Sequence, residues 1–205
     1  IVENNGFIDK YIGDAIMALF GKDADDAVQA GIAMLHALNE YNLSRIKPDR
    51  PPLKIGIGIN TGSLMLGTVG GQSQMAGTVI SDAVNLASRL EGLTKNYGVS
   101  LLISHETFYK LQDPSLYNIR LIDCLRVKGK SSMVSVFEVF DADPPELKAG
   151  KLETQMMFEQ ALVLYSLKSF AEAIERFEIC LRQNPQDRVA KIYWEQCNRQ
   201  LQFVC

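Results

Sequence analysis

The 205-residue chain has few cysteines, no excess of positive charge and no long apolar run. Its four cysteines include no CxxC pair and their spacing fits neither a zinc site nor a disulfide framework, so we expect reduced thiols in a cytoplasmic protein. The net charge of −3 argues against a protein that coats nucleic acid. No apolar stretch is long enough to span a bilayer, and no signal peptide is recognisable.

The chain also lacks an initiator methionine, since it starts at Ile1. We therefore expect a fragment of a longer protein, whose upstream part could hold membrane or sensor segments. Hydrophobic residues make up 47% of the sequence and charged residues 22%, which is ordinary for a globular protein. The length predicts one medium-sized domain with an appendage.

Strand and helix patterns alternate in an irregular order along the first two thirds of the chain. Residues 6–20 predict a hairpin with its turn at Gly13-Asp14 and a buried second strand. Further strands are predicted at 54–61, 63–69, 99–103, 120–127 and 134–140, and helices at 25–46, 81–97 and 104–111. This order predicts an α+β or α/β sandwich in which helices pack on a mixed sheet.

The last third of the chain has a different pattern. Residues 141–150 have the composition of a linker, and the residues from 151 onward are helical in pattern. The positions of Ala161, Ala173, Phe177 and Pro185 resemble one tetratricopeptide repeat. A single repeat cannot bury its own faces, so we expect it to dock on the preceding domain, pair with another chain or belong to a longer array. A helical cap and a protein-interaction module both remain open.

Three groups of residues could carry chemistry, each with a simpler explanation beside it. Asp14 at the hairpin tip suits a hard cation such as Mg²⁺, or merely completes the turn. Asn85 and Arg89 are four apart on a helix and could hold a ribose and a phosphate oxygen, or form an ordinary polar face. Lys128, in the run Lys128-Gly129-Lys130, suits a phosphate-contacting loop or a solvated turn.

The combination of four short motifs resembles the class III adenylate and guanylate cyclases. The motifs are DKYIGDAIMA at 9–18, IGINTG at 57–62, VNLASR at 84–89 and VKGK at 127–130, and they follow the family's order. The resemblance covers residues 1–140. It predicts a catalytic domain over 1–140, a linker over 141–150 and tetratricopeptide-like helices over 151–205.

The resemblance implies a fold, a partner and a reaction. The fold is the ferredoxin-like cyclase fold, with a mixed, mainly antiparallel sheet and packed helices. Two such domains pair head-to-tail as a homodimer and share the active sites between them. Two Mg²⁺ or Mn²⁺ ions assist attack of the ribose 3′-hydroxyl of ATP on its α-phosphate, which gives 3′,5′-cyclic AMP and pyrophosphate for signalling.

The resemblance also assigns roles to individual residues. Asp14 matches a metal-binding aspartate, Asn85 the residue that positions the ribose, and Arg89 the arginine that stabilises charge on the α-phosphate. Lys128 matches the lysine that contacts the terminal phosphates from the partner's side of the cleft.

Two further positions concern the choice of base. Lys10 and Thr78 match positions that read the adenine ring in adenylate cyclases. They favour ATP over GTP, with a guanylate cyclase as the alternative.

One departure from the family pattern concerns the metal site. The family's first metal-binding aspartate lies in a Phe-x-Asp-Ile-x-Gly-Phe type motif, and this sequence has no such motif. We therefore expect this chain to be inactive alone and the parent protein to be active. Two hypotheses from different functional classes stay open beside an active cyclase. One is an inactive cyclase-homology domain that binds nucleotide or protein partners, and the second is a scaffold that uses the cyclase fold only for dimerisation.

Overall fold

The computed structural model describes residues 1–45, 51–69, 76–80, 82–126 and 133–202. Its strands are β1 Gly6–Ile12, β2 Ala15–Phe20, β3 Ile57–Ile59, β4 Met65–Val69, β5 Ala76–Ile80, β6 Leu101–Ser104, β7 Ile119–Arg126 and β8 Met133–Val139. Its α-helices are α1 Ala24–Ser44, α2 Asp82–Tyr97, α3 His105–Tyr109, α4 Pro145–Ser166, α5 Phe170–Gln183 and α6 Arg188–Gln202. Short 3₁₀ turns lie at Val2–Asn4 and Pro114–Leu116.

The main sheet has four strands in the order β3-β6-β8-β7. Strands β3 and β6 run parallel, whereas β8 is antiparallel to both of its neighbours. Strands β1 and β2 form a separate antiparallel hairpin, and β4 and β5 form another. The predicted α+β fold with a mixed, mainly antiparallel sheet is confirmed.

Helices cover both faces of the main sheet, and every residue of β6 is therefore buried. On one face, Leu101 and Ile103 pack with Val28 and Leu35 of α1. On the other face, Leu102 joins a cluster that contains Leu90 of α2 and apolar residues of α4, α5 and α6. A strand buried on both faces gives a continuous apolar run in the sequence, which is the pattern at 101–103.

The hairpin β1–β2 differs from its prediction in burial. Strand β2 was predicted to be buried, but its residues are exposed or half-buried, and Ile16 is 50% exposed. The reason is that β2 pairs with β1 alone in a two-stranded sheet, within the part of the chain that the structure describes. Apolar sequence indicates a strand here, but it does not show which layer covers that strand.

The predicted linker is helical over more than half of its length. Helix α4 begins at Pro145, so only residues 141–144 connect it to the end of the sheet region, and Gly150 and Lys151 are buried. Proline is tolerated in the first turn of a helix because no intrahelical partner is needed for its missing N–H. The pair Pro144-Pro145 thus starts the helix, and residues 145–150 of the predicted linker are its first residues.

The C-terminal helices α4, α5 and α6 dock on the main sheet, which is one of the three arrangements that a single repeat allows. Phe158, Phe177 and Tyr193 of these helices belong to the same buried cluster as Leu102 and Ile122 of the sheet. Within the described ranges, none of the helices is both long and apolar enough to cross a membrane. The division into a catalytic domain and a tetratricopeptide-like module stays a prediction.

Candidate active site

The hairpin β1–β2 carries Lys10 and Asp14. Gly13 has φ +63°, a left-handed conformation that glycine adopts without strain, and it makes the tight turn that exposes Asp14 at the tip. The ladder has a bulge between Ile8 and Lys10, so Asp9 has no partner across the hairpin. The ammonium of Lys10 lies 3.2 Å from a carboxylate oxygen of Asp9.

Helix α2 carries Asn85 and Arg89, and both side chains are exposed. Residues four apart on a helix lie on one face, so Asn85 and Arg89 share a face of α2. Leu90 of the same helix is fully buried in the core. Helix α2 therefore presents one polar face to solvent and anchors itself through the other.

Two glycines let helix α2 lie directly on strand β3 and the residues before it. A Cβ at Gly58 would overlap the carbonyl oxygen of Ala87 and the amide nitrogen of Glu91, and a Cβ at Gly56 would overlap the side chain of Thr94. Any larger residue at position 58 would push against helix backbone, which cannot rotate away as a flexible side chain can. Gly58 thus sets the distance between the sheet and the helix that carries Arg89.

Asn60 holds the N-terminal turn of helix α2. Its amide nitrogen donates to the Ala83 carbonyl at 3.0 Å, and its amide oxygen accepts a 2.6 Å hydrogen bond from the Ser104 hydroxyl. Ser104 is fully buried, and its hydroxyl also accepts from the Thr107 amide at 3.2 Å. Sequence reasoning gave Asn60 no role, and its only signal was its place within a family motif.

The remaining predicted residues are described in part or not at all. The backbone of Thr78 lies in β5 opposite Gly67, but its side chain lies outside the described structure. Lys128 falls in 127–132, which also lies outside the described residues. Lys10 and Asp14 share the hairpin, and Asn85 and Arg89 share α2, so the described residues form two pairs on separate elements.

The metal ligand that the sequence predicts in the described part of the chain is Asp14. Within the described ranges, no three His, Cys, Asp or Glu side chains come together as a metal site of their own. Asp14 is an exposed carboxylate at a turn, which suits Mg²⁺ because this ion is commonly held by one or two carboxylates together with substrate phosphates. Asp14 therefore fits a shared metal site and does not complete one.

Comparison with known proteins identifies the family. The model of the adenylate and guanylate cyclase catalytic domain matches residues 8–139. The chain is 48% identical over 145 residues to an adenylate cyclase of Anabaena cylindrica, an alignment that covers 68% of this chain and 29% of that enzyme. It is 36% identical over 203 residues to the terminal-differentiation specific adenylate cyclase of Dictyostelium discoideum. That alignment covers 96% of this chain and 10% of that enzyme.

A solved structure agrees with this assignment. The crystal structure of the adenylyl cyclase CyaB from P. aeruginosa is similar at a TM-score of 0.54 and 33% identity, covering 68% of this chain and 74% of that one. The chain spans 10% of the length of the Dictyostelium enzyme and 29% of the length of the Anabaena enzyme. From residue 8 to residue 139, the chain belongs to the family of adenylate and guanylate cyclase catalytic domains.

Proposed function

We propose that the protein containing this chain is an adenylate cyclase that converts ATP to 3′,5′-cyclic AMP and pyrophosphate. The observation that carries the proposal is the exposed pair Asn85 and Arg89 on one face of α2, a helix fixed to the sheet at Gly58 and Asn60. The likeness to two enzymes named adenylate cyclase supports it. Cyclic-nucleotide signalling follows as the role of the product.

The reaction needs groups that orient the ribose and neutralise developing negative charge. The ribose 3′-oxygen loses its proton and bonds to the α-phosphorus, while the bond from that phosphorus to the bridging oxygen breaks and pyrophosphate leaves. Asn85 can orient the ribose through its amide. The guanidinium of Arg89 stabilises the charge that grows on the α-phosphate.

Asp14 is the residue of this chain that would hold metal. When bound, Mg²⁺ or Mn²⁺ would lower the pKa of the attacking hydroxyl and neutralise charge on the leaving group. The exposed position of Asp14 lets a nucleotide and a metal reach its carboxylate together. A two-metal site needs a second carboxylate, and the 205 residues contain no Phe-x-Asp-Ile-x-Gly-Phe type motif to provide it, so we expect them to be inactive alone.

Base choice and assembly complete the proposal. Lys10 donates to a ring nitrogen of adenine, and Thr78 accepts from its amino group. Lys128 contacts the terminal phosphates across a head-to-tail homodimer. Because the matched family includes guanylate cyclases, GTP is the alternative substrate.

The test is cyclic-nucleotide formation by the full-length protein with ATP or GTP and either Mg²⁺ or Mn²⁺. We expect cyclic AMP from the wild type and its loss in Arg89→Ala. The matched control is Lys95→Ala, which removes an exposed cation from the same helix and should leave the rate unchanged. Cyclic GMP as the main product would replace the adenylate assignment by a guanylate one. A folded dimer without product would indicate an inactive cyclase-homology domain or a scaffold.

A further inference from the structure

Helix α2 is held at both ends, and the second support comes from the C-terminal helices. At the N-terminal end, the Asn60 amide donates to the Ala83 carbonyl. At the C-terminal end, α2 stops at Tyr97, and Gly98 follows with φ +68°. A Cβ at Gly98 would overlap the side chain of Arg188, the first residue of α6, so this side chain lies against the residue that follows α2.

Two tyrosine hydroxyls tie α2 and α6 to neighbouring residues of strand β7. The Tyr97 hydroxyl donates to the carboxylate of Asp123, and the Tyr193 hydroxyl donates to the Ile122 carbonyl at 2.8 Å. Tyr193 is only 4% exposed. Burial raises the pKa of Tyr97, and the hydrogen bond to Asp123 raises it further, so its hydroxyl stays protonated and able to donate at neutral pH.

The C-terminal helices are themselves fixed to the sheet by buried polar contacts. The ammonium of Lys151 lies 2.5 Å from Glu138 of β8, and the guanidinium of Arg120 lies 2.6 Å from Asp187. The same guanidinium stacks 4.4 Å over the ring of Phe158 in α4. The sequence likeness to the Dictyostelium enzyme also continues through this region, whereas the family model ends at residue 139.

We propose that α4, α5 and α6 brace helix α2, and that Tyr97 and Tyr193 are positioning residues for Asn85 and Arg89. The effect on catalysis rests on the proposed function, whereas the support of helix α2 rests on the contacts alone. An error of about 1 Å in the position of a catalytic group can cost about a hundredfold in rate, so a helix that carries such groups needs support at both ends. At the C-terminal end of α2, strand β7 holds Tyr97 through Asp123, and α6 adds the contact of Arg188 with Gly98 and the hydrogen bond of Tyr193 to the neighbouring Ile122.

Deleting the C-terminal helices would be a poor test. The deletion would remove Asp187 from Arg120 and Lys151 from Glu138, and it would uncover the apolar cluster that contains Leu102 and Ile122 of the sheet. Phenylalanine substitutions avoid this problem because they keep the ring and remove only the hydroxyl. Tyr165→Phe is the matched control, since the Tyr165 hydroxyl donates to the Gln196 side chain within the C-terminal helices at 2.9 Å.

The experiment compares Tyr97→Phe, Tyr193→Phe and Tyr165→Phe in the full-length protein. For the first two variants we expect kcat to fall about tenfold and KM to stay within about twofold, because Arg89 acts on the transition state. We also expect faster amide hydrogen exchange at the C-terminal half of α2, residues 90–97. Tyr165→Phe should leave kcat, KM and the amide exchange of α2 unchanged.

The exchange measurement separates the brace from the proposed activity. If the wild type makes no cyclic nucleotide, faster exchange in α2 of Tyr97→Phe and Tyr193→Phe still supports the brace while the proposed function fails. If all three variants leave the exchange of α2 as it is in the wild type, the C-terminal helices are a passive cap and the inference is overturned. Equal loss of kcat in all three variants would overturn it as well.

Discussion

The guanidinium of Arg120 makes two hydrogen bonds, of 2.6 and 2.9 Å, to the carboxylate of Asp187. Arg120 lies on β7 and Asp187 in the turn between α5 and α6, and both side chains are fully buried. Glu138 accepts a third hydrogen bond from Arg120 at 2.7 Å. The contact joins the cyclase sheet to the C-terminal helices at a point where neither charge can reach water.

Asp187→Asn should destabilise the protein by about 1.5–3 kcal/mol, because Arg120 loses its charge-assisted hydrogen bonds to Asp187 and keeps Glu138 as its buried anionic partner. The side chain keeps its size, so loss of charge is the main change. The measurement is urea unfolding of the full-length protein and of the variant. The control is Glu195→Gln, which breaks an exposed 3.7 Å pair with Arg199 and should cost less than about 0.5 kcal/mol. An equal loss of unfolding free energy in the two variants would contradict the prediction.

The same carboxylate predicts a pH dependence. Burial opposes the ionisation of Asp187, but the hydrogen bonds and the charge of Arg120 outweigh it and lower its pKa. A carboxyl whose folded pKa is depressed contributes stability above its unfolded pKa, about 3.9, and loses that contribution as the pH falls through the folded pKa. The difference in unfolding free energy between wild type and Asp187→Asn should therefore shrink below about pH 4. A difference that stays constant down to about pH 2.5 would show that the charge of Asp187 is not what stabilises the fold.

The sequence predicted the elements better than it predicted their contacts. The apolar stripe of α1 and the strand at Leu101 are local patterns, and local patterns are readable in one sequence. The pairing of Arg120 with Asp187 spans 67 residues and leaves no periodic signal. Charged residues in strands and helices normally face water, so nothing in the sequence marked these two as buried.

The candidate site was predictable to a similar degree. The helical pattern at 81–97 placed Asn85 and Arg89 on one helix, and α2 spans both of them. Their catalytic roles came from the family resemblance and stay predictions. The support of α2 by Asn60 could not be predicted, since it depends on the approach of a loop and a helix 23 residues apart.

Gly58→Ala should destabilise the protein by about 1–3 kcal/mol and lower cyclase activity, because the new methyl group pushes α2 away from β3. The control is Gly92→Ala on the same helix, where an added Cβ would meet nothing within 4 Å. Alanine is the better helix former, so this control should be neutral or stabilising by up to about 1 kcal/mol. Thermal unfolding and initial rates of both variants test the prediction. Similar stability of the two variants would show that α2 does not rest on Gly58.

Asp14→Asn tests the metal-binding role without disturbing the hairpin. Asparagine suits the same turn as aspartate, so the fold should survive while the anionic ligand is lost. Metal ions contribute several kcal/mol to such transition states, and each 1.4 kcal/mol is about tenfold in rate, so we expect activity to fall at least about a hundredfold.

The matched control is Asp23→Asn, an exposed aspartate at the N-cap of α1, where asparagine is equally favourable. Initial rates are measured over a titration of Mn²⁺ for both variants and the wild type. The Asp14→Asn curve should need more metal for half-maximal rate, whereas the Asp23→Asn curve should overlie the wild type. If Asp14→Asn lowers the rate but leaves the metal dependence unchanged, Asp14 serves only to form the turn and other residues bind the metal.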